Sequence, residues 1–216
     1  MGKMALGCLG VQVLVAVILA IASFGSYNGL VGKREAVDAK WGDVESAYQR
    51  RADLIPNLVA TVQGAAAFEQ ATLTAVTQAR ASVGQAQVNG KDLVNDPAAF
   101  ARFEQAQAAL GSALQRLMVV VEKYPELKAT QGFRDLQAQL EGTENRISVE
   151  RMRYNEVAQD YNTARQRFPA VLVANLMGFK EKAYFKSQPG SEQAPKVQFD
   201  FGKPAGQASP TAAPAQ

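Results

Sequence analysis

The chain has 216 residues, with 23 lysines and arginines against 20 aspartates and glutamates, a net charge of +3, one cysteine and no histidine. Those counts exclude histidine-based nucleophilic catalysis, histidine-ligated metals, an internal disulfide and a thiolate cluster. With so small a net charge and no unbroken basic cluster, no nucleic-acid partner is expected. No motif calls for a cofactor, and none is expected.

Residues 4–24 contain no charged side chain, and Gln12 is the only strongly polar one. At ~1.5 Å per residue they reach ~30 Å, the thickness of a bilayer's hydrocarbon core. The expected reading is a single-pass membrane anchor that meets the lipid bilayer through residues 4–24. A cleaved leader competes with it, because Lys3 precedes the run and Ala20-Ile21-Ala22 has a small-x-small pattern. The run is longer than a leader's apolar region and passes unbroken into a helical pattern, which favours the anchor. Cys8 then lies inside the span as a small apolar residue. Lys33, Arg34 and Lys40 follow the span and only Lys3 precedes it, a lean toward a cytoplasmic location for the rest.

Beyond the span, apolar residues recur at helical spacing and no alternating strand pattern occurs. The first helix carries Leu30, Val37, Trp41, Val44, Tyr48 and Ile55 on one face, and Pro56 marks a boundary or kink. The second carries Leu58, Val62, Ala65, Leu73, Val76 and Val83. Asp96-Pro97 opens the third as a cap and first-turn proline, followed by Phe103, Leu110, Leu114, Leu117 and Val121. After a break at Tyr124-Pro125, the fourth carries Leu136, Leu140, Ile147, Tyr154, Val157 and Tyr161, and ends near Phe168-Pro169. Residues 171–179 fit a last short helix stopped at Gly178. Each stripe is too narrow to be buried alone, so the expected fold is all-α, an antiparallel four-helix-type bundle. The expected organisation is an anchor over 1–26, a bundle over 27–186 and a disordered tail rich in proline, alanine, glycine and glutamine over 187–216.

Polar residues that interrupt the apolar stripes are the candidate site. Glu69 projects onto the apolar face of the second helix, Glu150 onto that of the fourth with Thr143, and Arg34 and Arg80 lie beside apolar neighbours. A buried carboxylate without a partner costs several kcal/mol, so these groups must pair or reach water. One reading is a buried polar layer of Arg34, Tyr48, Glu69, Arg80, Glu150, Tyr154 and Tyr161 that sets helix register. The other is a carboxylate site in which Glu69 and Glu150 bind a metal or small ligand or do acid–base work. Di-metal bundles use histidine beside glutamate, and this chain has none, which favours the structural layer. A second group, Arg50, Arg51, Asp53, Pro56, Asn57, Asn155 and Asn162, is a candidate partner surface. Arg50, Arg51 and the arginines of the fourth helix also allow a lipid-surface reading, although Glu150, Glu156 and Asp160 interleave with the latter.

Tyr27-Asn28-Gly29-Leu30-Val31, Arg50-Arg51-Ala52-Asp53-Leu54-Ile55-Pro56-Asn57-Leu58-Val59, Arg153-Tyr154-Asn155 and Asp160-Tyr161-Asn162 resemble the LemA family. So do Arg167-Phe168-Pro169, Gly178-Phe179 and Ala194-Pro195-Lys196-Val197-Gln198-Phe199, in the same order over about residues 27–200. The resemblance implies a bacterial membrane-associated protein with an N-terminal anchor and a long antiparallel helical bundle. It implies no enzymatic activity, and points to a partner or scaffold at the inner membrane. Some relatives serve magnetosome formation and others are encoded beside membrane proteases. Many members have His-Glu where this chain has Phe68-Glu69, so a role resting on that histidine does not carry over. The expected function is a non-enzymatic interaction or scaffold protein, with an unidentified membrane or membrane-associated protein as partner.

Overall fold

The computed structural model describes residues 2–64, 69–86 and 90–186; within its helices the side chains of 2–11, 15, 16, 19, 90 and 91 are not among those described. Among the described residues seven helices follow in order: α1 (Gly2–Gln63), α2 (Gln70–Ala86), α3 (Gly90–Leu93), α4 (Pro97–Val121), α5 (Pro125–Ala129), α6 (Gln131–Gln166) and α7 (Ala170–Leu176). No strand occurs among the described residues, as the apolar periodicity predicts. The expected tail at 187–216 lies outside them.

The four long helices alternate in direction, α1 packing on α6 and α2 on α4. Lys33 meets Asp160 and Arg51 meets Glu144, which fixes α1 and α6 as antiparallel. Their stripes form two core clusters. One joins Leu30, Val37, Trp41 and Val44 of α1 to Phe100 and Phe103 of α4 and to Ile147, Tyr154 and Tyr161 of α6. The other joins Leu54, Ile55, Leu58 and Val62 to α2, to the second half of α4 and to Phe133 and Leu140. Each fully buried large apolar side chain contributes about 1.5–3 kcal/mol, so each long helix is held by its whole stripe.

The caps are legible locally. Asp96 accepts hydrogen bonds from the Ala98 and Ala99 N–H groups at 2.9 and 3.1 Å, and Pro97 follows it. Thr130 caps α6 through the Phe133 N–H. Gly178 has φ +70°; in this left-handed position the Phe179 N–H reaches the Ala174 carbonyl at 2.9 Å and closes α7.

Pro56 does not end the first helix; α1 continues to Gln63, so Leu58 and Val62 belong to it and not to a second helix. Proline lacks the N–H that would bond the carbonyl four residues back, Ala52. Arg80 of α2 replaces it, its Nε donating to the Ala52 carbonyl at 3.1 Å. Among the described residues no helix is long and apolar enough to cross a membrane. The expected span at 4–24 falls on the first part of α1, where many side chains lie outside the described set.

Candidate functional site

After Gly178 the chain runs without regular structure from Phe179 to Lys186 along α6. An extended segment inside a helical protein has no ladder to satisfy its backbone, so every buried N–H and C=O needs another partner. Side chains of α6 supply them. Tyr161 donates to the Lys180 carbonyl and Tyr154 to the Ala183 carbonyl, both at 2.8 Å. The Asn162 amide donates to the Lys182 carbonyl at 2.9 Å and accepts from the Lys182 N–H at 3.0 Å. Asn155 does the same for Phe185, at 2.9 and 3.0 Å. Arg165 Nε holds the Phe179 carbonyl at 2.7 Å, and the Ala183 N–H bonds the Val94 carbonyl at 3.0 Å.

The spacing is what makes this possible. Tyr154-Asn155 and Tyr161-Asn162 are seven residues apart, two helical turns or ~10.5 Å. Three residues of extended chain cover ~10 Å. The tyrosines accordingly hold residues three apart, and so do the asparagines. The strap also packs apolar groups: Phe185 lies 4.8 Å from Phe100, 5.6 Å from Tyr154 and 6.1 Å from Trp41, centroid to centroid. Lys182, 2 % exposed, donates from Nζ to Asp38 of α1 at 2.7 Å.

Asn155 and Asn162 are therefore not a partner surface; the strap covers both. Arg51 is not one either. It is 4 % exposed and donates to Glu144 at 2.7 Å and to the Gln107 side-chain carbonyl, with its guanidinium 5.2 Å over the Tyr48 ring. It joins α1, α4 and α6 where one core cluster gives way to the other. Arg50, one residue earlier, is exposed and reaches Gln139 at 3.2 Å. Asp53, Pro56 and Asn57 are exposed as well, Asp53 accepting from Gln49 at 2.7 Å.

The expected polar layer forms only in part. Tyr48, Tyr154 and Tyr161 are buried, and so is Glu150, which accepts from Arg153 at 3.0 Å through Oε1 while Oε2 is buried without a partner. Burial pushes all three phenols above the usual tyrosine range, Tyr154 furthest. Arg34 is half-buried, 5.6 Å from the Phe179 ring, with Glu35 at 3.3 Å. Arg80 and Glu69 are exposed, contrary to their projected positions. The helical projection carried Glu69 on an unbroken second helix. In the fold α2 begins only at Gln70, and Glu69 precedes it on a groove between α2 and α4 beside Arg116 and Val120. Glu150 sits instead among the first core cluster, so the two carboxylates do not converge. No group of three or more acidic or cysteine side chains able to hold a metal occurs among the described residues.

A polar cleft of 490 Å³ opens beside the start of the strap, lined among others by Arg34, Asp92, Asp96, Tyr161 and Lys180. Of these, Asp96 is spent as the α4 cap and Tyr161 on the strap. The Tyr-Asn spacing of seven was the sequence signal for the strap, and it was visible only as two separate motifs.

An up-and-down helical bundle locked by an extended C-terminal strap is the class that fold and site define, and residues 40–199 match the model of the LemA family; the chain belongs to that family. It is similar to the magnetosome protein MamQ of Magnetospirillum gryphiswaldense, 28 % identical over 199 residues covering 85 % of this chain and 73 % of the relative. Magnetosome proteins MamQ 1 and MamQ 2 of Paramagnetospirillum magneticum are also 28 % identical over 204 residues, covering 88 % of this chain and 73 % of each relative.

Proposed function

We propose that this chain is a membrane-tethered, non-enzymatic interaction protein of the bacterial cell envelope. The observation that carries the reading is the continuity of α1, one helix from Gly2 to Gln63. A stretch without charge and the first helix of the bundle are thus one element. Val13, Leu14, Val17, Ile18, Ile21 and Phe24 are exposed on that stretch, an apolar surface that water solvates poorly. Lys33, Arg34 and Lys40 favour the cytoplasmic side for the bundle. Arg51, Tyr154, Asn155, Tyr161 and Asn162 of the motifs hold helices and strap together, whereas Arg50, Asp53, Pro56 and Asn57 form an exposed patch open to a protein partner.

Alkaline-carbonate extraction of bacterial membranes tests the tether. The full chain stays in the pellet and a chain lacking residues 4–24 leaves it; release of the full chain overturns the reading. Protease treatment of spheroplasts reports the side. In-membrane cross-linking from Asn57→Cys, in a Cys8→Ser background, is expected to recover one defined protein, and Arg50→Glu with Asp53→Lys to lose it. Recovery of nothing above background counts against an interaction role.

A further inference from the structure

The stretch Phe168–Phe179 contains no charged residue and one polar side chain, Asn175. Its helix α7 turns Val173 and Ala174 into the bundle, against α1 and α6. The opposite face carries the exposed Asn175 and is otherwise apolar. Phe168, Leu172, Leu176 and Met177 are 76, 61, 81 and 59 % exposed. A helix on a protein surface ordinarily turns polar residues outward. Four large apolar side chains exposed together suit an apolar environment instead.

The register places this face along α1. Arg51 meets Glu144 and Lys33 meets Asp160, so each step forward on α6 is one step back on α1. Continued past the end of α6, that register sets Phe168 level with the end of the uncharged stretch 4–24. Tyr27, three residues beyond that stretch, packs edge-on against Phe179 with ring centroids 5.8 Å apart. Basic residues border the face. Arg165 and Arg167 precede it, Lys180 and Lys182 follow it, and Glu181 is the one acidic residue from 165 to 182. Lys182 is spent on Asp38 and Arg165 on the Phe179 carbonyl, while Arg167 and Lys180 are exposed. Apolar side chains with cations at their edges are what a segment resting in the headgroup region of a bilayer presents.

We propose that α7, with Phe168 and Met177, is an interfacial foot that rests in the headgroup–acyl boundary of the bilayer holding the α1 anchor. It gives the bundle a second point of contact beside the anchor and so sets its tilt on the membrane. The proposal rests on the tether reading above, and its test separates the two. Three full-length chains carry Cys8→Ser and a single new cysteine, Leu14→Cys, Leu176→Cys or Glu126→Cys, each labelled with an environment-sensitive fluorophore. They are reconstituted into vesicles of phosphatidylethanolamine and phosphatidylglycerol containing nitroxide lipids. The label at 176 is expected to be quenched several-fold more strongly than that at 126 by a headgroup-level nitroxide, and the label at 14 by a nitroxide deep in the acyl chain. Quenching at 14 with position 176 matching position 126 overturns the foot and leaves the tether. Quenching at neither 14 nor 176 overturns both. A label at 176 that is shielded only at high protein density, without nitroxide quenching, assigns the face to a second copy and also overturns the foot.

Discussion

Asn162 and Lys182 are joined through both halves of one side-chain amide, which donates to the Lys182 carbonyl at 2.9 Å and accepts from its N–H at 3.0 Å. The amide thus imitates a neighbouring strand for a backbone that has none. Asn155 repeats this at Phe185, and together they convert a helix surface into a receiver for extended chain.

Asn162→Ala leaves a buried N–H and C=O without partners, and is expected to cost about 2–4 kcal/mol. Trp41, the sole tryptophan, lies against Phe185 and reports the loss. Denaturant unfolding of the full chain in detergent micelles, followed by its fluorescence, measures it. Hydrogen exchange should show the amides of Lys182 and Ala183 losing protection first. Unchanged exchange there would mean the strap is held mainly by Phe185.

Lys182 and Asp38 form an ion pair with one partner almost wholly buried. Removing Asp38, the half-buried partner, strands the buried charge, so Asp38→Ala should destabilise by about 3 kcal/mol or more. Lys182→Met keeps the packing of the aliphatic stem and removes the charge, and its loss should be smaller. The reverse ranking in the same unfolding assay would show that the ammonium is better solvated than its burial indicates.

Adjacent arginines should differ sharply. Arg51→Ala removes the donor shared by Glu144 and Gln107 at the junction of three helices, with an expected cost of about 3 kcal/mol. Arg50→Ala is a surface change and should stay within about 0.5 kcal/mol. Equal effects would refute the assignment of Arg51 to the interior.

Pro56 and Arg80 should be energetically coupled through the Ala52 carbonyl. Pro56→Ala restores the missing helical N–H and is expected to stabilise by about 1–3 kcal/mol. Arg80→Ala should cost about 0.5–1 kcal/mol in the natural chain and close to nothing beside Ala at 56. A double-mutant cycle gives the coupling, and additivity would dismiss it.

Alkali should unfold the bundle earlier than its charge suggests. Burial raises the Tyr154 phenol above its normal range, with Asp38 adding to it, and raises Tyr48 and Tyr161 in the same direction. An unfolded tyrosine loses its proton near pH ~10 while the folded ones keep theirs, so the stability is whole below that pH and declines as pH rises above it. Tyr154→Phe lowers stability at neutral pH by removing the bond to the Ala183 carbonyl, and should flatten the decline above pH ~10. An unchanged slope would mean other groups carry the alkaline transition.

Much of this fold is written in local chemistry. The stripes of α1, α4 and α6, the Asp96-Pro97 cap and the Gly178 stop are decided within a few residues, because helix periodicity and caps are short-range. Pro56 reads locally as a helix boundary, yet α1 continues through it for a long-range reason: the carbonyl that proline frees is satisfied by Arg80, on another helix. Glu69 was placed on a core face for a related reason, since projection assumes a helix that runs on, and α2 begins one residue later.

The sequence by itself determined an all-α bundle, the apolar stripes of its helices, an uncharged N-terminal stretch and membership of the family to which its motifs point. Tertiary structure alone decided what those motifs do. Arg50 and Arg51 are equivalent as text, yet the turn of the helix sends one to solvent and the other among three helices. Asn155 and Asn162 look like recognition residues because their amides have no partner within their own helix. Their partner is the chain's own strap, twenty to thirty residues on, and only antiparallel return of that strap at the matching rise brings them together.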